Sequence, residues 1–250
     1  MPPSFIASIE AVRSTYVAPP NNNSTTGAAG GATSIDTTGA TLLVAVVRAN
    51  GSGASISDSE GNVWTYGAEF GPGITRVRLA WVFNPLTSAT HTFNPTSNEG
   101  SADVFAFGGS GTWAQTEMDG ATITSPGTSV TTDSIPTTDF DVVIAGLSSN
   151  GSISGGTVLG GFSGGIPGEP ANALPQQLSG TPEVGMGAYL ISPGGSTDCS
   201  FVSLTNNADW IWIIGSFTLT GAAPSGGGCG PLPIFPQMID WSKLWEDAQG

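Results

Sequence analysis

The chain has 250 residues and a formal net charge of −14, and only 10% of its residues are charged. Its five basic residues are too few and too scattered to hold a phosphate backbone, which argues against nucleic-acid binding. Hydrophobic residues amount to 38% and cluster in short runs, which predicts a packed core instead of disorder. No apolar run is long enough to cross a membrane, and the first residues do not resemble a secretory signal.

In chain order, runs of β-branched and aromatic residues alternate with Gly, Pro, Asn and Asp, and they predict a series of short strands. We place these strands near residues 4–10, 41–48, 62–67, 74–83, 90–94, 102–107, 121–124, 141–147, 157–162, 184–191, 199–204 and 210–220. In the run at 74–83, Val77, Leu79 and Trp81 occupy every second position, which is typical of a strand with one buried face.

The strand pattern occurs twice along the chain. Residues 41–52 align with residues 141–152, and each segment contains an Asn-Gly turn. Because such turns separate many short strands, we predict an all-β fold, a jelly-roll-like β-sandwich built from two four-stranded sequence repeats. The predicted β-sandwich domain covers residues 1–221, with pseudo-repeats at 34–110 and 133–221.

Residues 222–250 differ from the rest of the chain and are predicted to form a linker and a docking tail. The Gly-rich stretch at 222–230 is typical of a flexible linker, and Asp240 is placed to cap a short C-terminal helix. A helix of this length is marginal alone, so we expect its apolar stripe to dock on its own sandwich or on a neighbouring subunit. The residues predicted to bind the partner are Leu232, Ile234, Phe235, Met238, Trp241, Leu244 and Trp245.

The chain carries little of the chemistry that enzymes use, and we predict no catalytic residues and no enzymatic activity. Its one histidine, His91, lies in a plain alternating strand without the sharp turn that presents a nucleophile. Glycoside hydrolases need only two suitably spaced carboxylates, and the nineteen acidic residues could form such a pair by chance. A hydrolase of this kind is therefore the third functional hypothesis, after the two that are given below.

One acidic turn, from Asp58 to Asn62, resembles the start of a calcium loop because oxygen ligands stand at alternate positions. Asp58, Glu60 and Asn62 are therefore weak candidates for a Ca²⁺ site, but the same residue types also build hairpin turns, and we predict no cofactor. Cys199 and Cys229 are the only cysteines, and the sequence leaves open whether they form a disulfide.

Three segments together resemble a known group of proteins: residues 35–46, residues 57–65 with an Asp-Ser-x-Gly-Asn-x-Trp turn, and residues 78–85. They are similar to β-sandwich proteins of bacteriophage virion surfaces, a jelly-roll family of capsid-decoration and tail- or fibre-associated proteins. The resemblance covers roughly residues 33–220 and brings no catalytic residues. It implies a virion structural protein that is assembled in the host cytoplasm, displayed on the particle surface and attached through its termini to other capsid or tail proteins. We also expect a homo-oligomer.

A carbohydrate-binding or adhesin module that attaches to glycans is the alternative. The chain has seven tryptophans, and an exposed indole is a surface on which a sugar ring can stack. Trp113 follows a Gly-Ser-Gly-Thr segment, so we expect it to lie exposed in a loop and to be the sugar-stacking residue.

Overall fold

The structure is a computed structural model that describes residues 3–12, 34–72, 75–95, 101–124, 128–150, 158–163, 172–173, 183–202 and 209–221. The described residues form antiparallel β-sheets and contain no helix. The prediction of an all-β fold is thereby confirmed. The predicted C-terminal helix and docking tail lie outside the described residues.

The first half of the chain contains eight described strands. They are β1 (Ser4–Val12), β2 (Ser34–Ile35), β3 (Leu42–Asn50), β4 (Ile56–Asp58), β5 (Thr65–Tyr66), β6 (Thr75–Phe83), β7 (His91–Pro95) and β8 (Ser101–Gly108). They form a five-stranded sheet in the order β1-β8-β3-β6-β5 and a three-stranded sheet in the order β2-β7-β4.

The second half contains eight more. They are β9 (Thr112–Ile123), β10 (Ser129–Thr131), β11 (Ile135–Asn150), β12 (Val158–Phe162), β13 (Asn172–Ala173), β14 (Glu183–Thr197), β15 (Cys199–Val202) and β16 (Asp209–Thr220). They form a five-stranded sheet in the order β13-β14-β11-β16-β9 and a three-stranded sheet in the order β10-β15-β12.

The two halves have the same strand order, because each strand of the second half takes the place of the strand eight positions earlier in the first. The sequence predicted only four strands for each repeat and one pair of sheets, whereas each half has its own pair of sheets. All four strands that have no counterpart in the predicted series, β2, β4, β10 and β13, are short. The pieces β2 and β10 have two and three residues, too few for an alternation with a period of two to be recognised.

Three hydrophobic clusters separate the sheets and define four layers. The first cluster lies between the two sheets of the first half and contains Leu43, Val47 and Phe93. The corresponding cluster of the second half contains Val143 and Phe201. The middle cluster lies between the two five-stranded sheets and includes Leu42, Val44, Val46, Leu79, Phe105, Phe107, Ile144, Ile213 and Phe217. The layers therefore follow the order three-, five-, five- and three-stranded.

Both faces of each five-stranded sheet are apolar because each sheet is covered on both sides. This is why β3 reads as a nearly continuous apolar run, with Val46 in the middle cluster and Val47 in the first. The halves approach closely, since a Cβ atom at Gly146 would lie 2.4 Å from Cγ1 of Val46. Full burial of each large apolar side chain is worth about 1.5–3 kcal/mol, so the middle cluster holds the two halves together.

The described part of the chain enters and leaves this body at one end. A tight turn between Gly108 of β8 and Thr112 of β9 joins the two five-stranded sheets there. Thr220 of β16 pairs with Thr112, and the last described residue, Gly221, follows it. Ser4 of β1 pairs with Gly108, so the first strand also starts at this end. We refer to it as the Gly221 end.

Candidate functional site

The turn between β4 and β5 is organised around the carboxylate of Asp58. Oδ1 of Asp58 accepts hydrogen bonds from the backbone N–H of Glu60 at 2.9 Å and of Asn62 at 3.2 Å. Oδ2 accepts another from the indole N–H of Trp64 at 2.8 Å. Gly61, at φ +74°, supplies the left-handed backbone that the turn requires. The Asp-Ser-x-Gly-Asn-x-Trp pattern therefore folds into a carboxylate-centred turn.

His91 of β7 packs against this turn from the three-stranded sheet. Its Nδ1 is 2.9 Å from Oγ1 of Thr37, and its Nε2 is 3.4 Å from Oδ1 of Asp58. The imidazole also stacks on the ring of Phe93, with centroids 4.3 Å apart. The order Thr, His, Asp is that of a catalytic triad, but all three side chains are buried, so a substrate has no access to the threonine hydroxyl. The three residues form a structural clamp between the turn and the three-stranded sheet.

The surroundings of Asp58 act on its pKa in opposite directions. Burial raises the pKa of the carboxyl group, whereas His91 and the N–H groups of Asn62 and Trp64 lower it. The net effect is a pKa below the ordinary value for aspartate. The folded state therefore favours the charged carboxylate. The stability that this group contributes is present above the unfolded-state pKa, about 3.9, and is lost as the pH falls through the lower folded-state pKa.

We expect Asp58→Asn to lower the free energy of unfolding at pH 7 by about 1–3 kcal/mol, because charge-assisted hydrogen bonds are lost. The variant should also lose less stability than the wild type as the pH is lowered from about 5 to 3. Urea unfolding at several pH values measures both effects. Asp36→Asn is the matched control, because Asp36 is exposed and its pKa is lowered mainly by hydrogen bonds from Thr38. An equal pH response in the two variants would contradict the clamp.

The other two calcium candidates also bind protein groups. Oε1 of Glu60 accepts hydrogen bonds from the hydroxyls of Ser59 at 3.0 Å and Ser88 at 2.8 Å. The side-chain amide of Asn62 accepts from the N–H of Leu86 at 2.7 Å and donates to its carbonyl at 3.0 Å. This is the geometry of a hydrogen-bonded turn. Among the residues that the structure describes, no group of three or more His, Cys, Asp and Glu side chains is placed to hold a metal ion.

A buried ion pair lies between the two halves, at the edge of the middle cluster. Nη2 of Arg48 on β3 donates to Oδ2 of Asp103 on β8, and neither side chain has any exposed surface. Nη1 of Arg48 donates to the hydroxyl of Ser101 at 3.0 Å. Its Nε donates to the carbonyl of Leu147 on β11 at 3.2 Å, so the guanidinium contacts both five-stranded sheets. The opposing β14 fits closely here, since a Cβ atom at Gly187 would lie 2.7 Å from Oδ2 of Asp103.

The residue predicted to stack on sugars is not available for that role. Trp113 is only 4% exposed, belongs to the middle cluster and donates its indole N–H to Oγ1 of Thr41 at 2.9 Å. The expectation of an exposed loop tryptophan is therefore wrong. Its segment is the tight turn into β9, which directs the indole between the sheets. Among the described aromatic side chains, Phe140 is the one that is largely exposed.

Cys199 is a buried free thiol in the outer core of the second half. Burial, and to a smaller extent the nearby charge of Asp198, raises the pKa of the Cys199 thiol well above its ordinary value. The neutral thiol therefore behaves as a small apolar side chain. Cys229 lies outside the described residues, and so do all seven residues predicted to bind a partner, from Leu232 to Trp245.

Three large apolar side chains are exposed in the described part of the chain, and these form the candidate site. Val63 is 88% exposed, Leu86 64% and Phe140 54%. Phe140 also has a positive φ of 70°, a conformation that bulky side chains rarely adopt. None of the three stands out in the sequence. A run of apolar residues points to a core, but single apolar residues between strands, such as Val63 and Leu86, or at an irregularity of a strand, such as Phe140, carry no such signal.

No known protein family, curated protein or solved structure matches this chain. No helix in the described ranges is long and apolar enough to cross a bilayer. The class that the fold defines is an all-β protein of layered antiparallel sheets.

Proposed function

We propose that this chain is a non-enzymatic structural subunit of a bacteriophage virion, a capsid-decoration or tail-associated protein attached through its termini. Its partners are other virion proteins and further copies of itself. It is assembled in the host cytoplasm and displayed on the particle surface. The assignment to virions comes from the resemblance of residues 35–46, 57–65 and 78–85 to that family.

One observation carries the attachment role. The exposed apolar residues Val63, Leu86 and Phe140 lie at the Gly221 end, where β1 begins and the described chain leaves the body. Exposed apolar side chains that share one end of a protein are typical of a contact surface, whereas singly scattered ones need no explanation. Its position beside the start of β1 and beside Gly221 supports attachment at this end of the subunit.

The interior supports a scaffold role. The polar groups that enzymes often use are committed to structural bonds: Asp58 and His91 to the turn clamp, and Arg48 and Asp103 to the ion pair between the sheets. These groups are buried, which suits a body whose purpose is to hold its surface in a fixed shape.

We also propose that the two halves are copies of one eight-stranded unit, which is finer than the four-stranded repeat expected from the sequence. The support is their common strand order and the alignment of residues 41–52 with residues 141–152. In this proposal residues 1–221 form the body, and residues 222–250 form a linker and a docking tail with a short helix.

Removal of residues 222–250 should leave a folded, soluble body that no longer joins particles. We expect incorporation to fall by about tenfold or more, because each large apolar side chain that loses its contact costs about 1.5–3 kcal/mol. Quantitative mass spectrometry of purified particles measures the loss, and circular dichroism checks the fold.

Within the full chain, Trp241→Ala together with Trp245→Ala should reproduce most of this loss, whereas Gln237→Ala is the matched control and should be neutral. Normal incorporation of the shortened chain would refute attachment through the C-terminal segment.

A further inference from the structure

The three exposed apolar residues share one end of the molecule, as strand register shows. Val63 precedes β5, whose Thr65 pairs with Trp81 near the end of β6. Leu86 follows β6 by three residues and is hydrogen-bonded to Asn62. These positions lie beyond Phe83, which pairs with Leu42 at the Gly221 end of β3.

Phe140 belongs to the second half and lies at the same end. Val142 of β11 pairs with Phe217 of β16, and Phe140 lies two residues further toward Thr220. Thr220 pairs with Thr112, directly after the turn that joins the two halves. Val63, Leu86 and Phe140 are therefore on one end of the body, and the chain leaves from that end.

Two of these side chains are held outward by specific bonds. Phe140 lies in an irregularity of β11 between Asp139 and Val142. Asp141 bridges this irregularity, because its carboxylate accepts the N–H of Thr138 at 2.7 Å and its hydroxyl at 2.9 Å. The backbone of Leu86 is fixed by the two hydrogen bonds to the Asn62 amide. A strained backbone that displays an aromatic ring to water is unfavourable by itself and indicates a contact that uses the ring.

The segment best placed to cover these residues is the C-terminal part of the same chain. Residues 222–250 begin at this end, and an extended chain spans up to roughly 3.3–3.6 Å per residue, so the segment reaches every point of it. A tether of this kind gives the segment a local concentration of about millimolar, without any loss of freedom from bringing two molecules together.

Charge also favours residues 222–250 of the same chain over a second copy of the protein as the segment that covers this end. A second chain would bring a net charge of −14 to a body that is itself acidic. Residues 222–250 contain three acidic side chains and one lysine, Lys243, so they bring only a small negative charge along with eight large apolar side chains from Leu232 to Trp245.

We propose that, in the free subunit, residues 231–250 dock on the Gly221 end of their own chain and cover Val63, Leu86 and Phe140. Given the proposed function, this intramolecular contact is a resting state that keeps the tail's two tryptophans out of water until a virion partner replaces the contact.

Hydrogen–deuterium exchange of the full-length free protein tests the docking. In the wild type we expect amides of residues 231–250 to exchange about tenfold more slowly than in an unstructured peptide of the same sequence. Phe140→Gly combined with Leu86→Ser should bring exchange close to the peptide rate. Glycine also relieves the left-handed strain at position 140, so this variant should keep the wild-type melting temperature. Phe140→Tyr is the control, because it retains the ring.

Peptide-like exchange in the wild type, or protection that is unchanged in the double variant, would overturn the proposal. Protection that depends on protein concentration and accompanies a dimer mass would also overturn it, since a second copy would then be the occupant. Because the experiment uses no particles, its failure is distinct from a failure of the virion assignment, which the incorporation assay measures.

Discussion

Asp103→Ala should lower the free energy of unfolding by about 3–5 kcal/mol, the largest effect that we expect from one polar substitution. The reason is that Arg48 would remain buried between the two five-stranded sheets without its counter-charge. Its bonds to Ser101 and to the carbonyl of Leu147 satisfy part of the guanidinium but do not neutralise it. Urea unfolding at pH 7, followed by circular dichroism, measures the change.

Two further variants show whether the expected loss comes from leaving one charge buried alone. Replacing both partners, as Arg48→Met with Asp103→Leu, should be nearly neutral or stabilising, because no charge then remains buried. Asp133→Ala removes an exposed carboxylate and should change stability by less than about 0.5 kcal/mol. An Asp103→Ala variant as stable as Asp133→Ala would contradict the buried ion pair.

Phe217→Ala should also lower the free energy of unfolding by about 3–5 kcal/mol, because it opens a cavity in the middle cluster. The Phe217 ring is fully buried and lies edge-on to Trp81 of the first half, with centroids 5.7 Å apart. Phe217 is a residue of the second half, but the contact that the substitution removes is made with Trp81 of the first half. We therefore expect both halves to lose stability together in a single transition.

Hydrogen exchange measured separately over the strands of each half tests this coupling. Thr218→Ala, the next residue of β16, is the matched control and should change stability by less than about 0.5 kcal/mol, since Thr218 is only partly buried. Two separate unfolding transitions, or destabilisation confined to the second half, would show that the middle cluster does not unite the molecule.

Long strands with strong hydrophobic patterns could be predicted from the sequence. The run at 74–83 corresponds to β6 (Thr75–Phe83), where the alternation is regular. The strand β9 (Thr112–Ile123) was predicted only over its last residues. It is an edge strand rich in polar residues, so it lacks the apolar run that marks a central strand.

The site was harder to predict than the fold. The turn at Asp58 was recognised, because its residue types favour turns in any context, but its contact with His91 depends on the pairing of distant strands. Arg48 and Asp103 interrupt two apolar runs, a signal that could have identified a buried pair. Nothing in the sequence gives the φ of Phe140, since a left-handed phenylalanine is imposed by its surroundings.

Under the proposed function, these features divide the molecule into a rigid body and one end that contacts a partner. The buried ion pair and the middle cluster stabilise the relative position of the halves. This keeps Val63 and Leu86 of one half in a constant position relative to Phe140 of the other. A contact surface made by two halves needs such a fixed arrangement.

The most direct test of attachment through the Gly221 end is hydrogen–deuterium exchange of the full chain within assembled particles, compared with the free body that lacks residues 222–250 and whose Gly221 end is therefore uncovered. We predict added protection around Val63, Leu86 and Phe140 and none at the opposite end, near Thr75 and Ser101. Added protection confined to that opposite end, with the Gly221 end exchanging as fast as in the free body without residues 222–250, would contradict attachment through the Gly221 end.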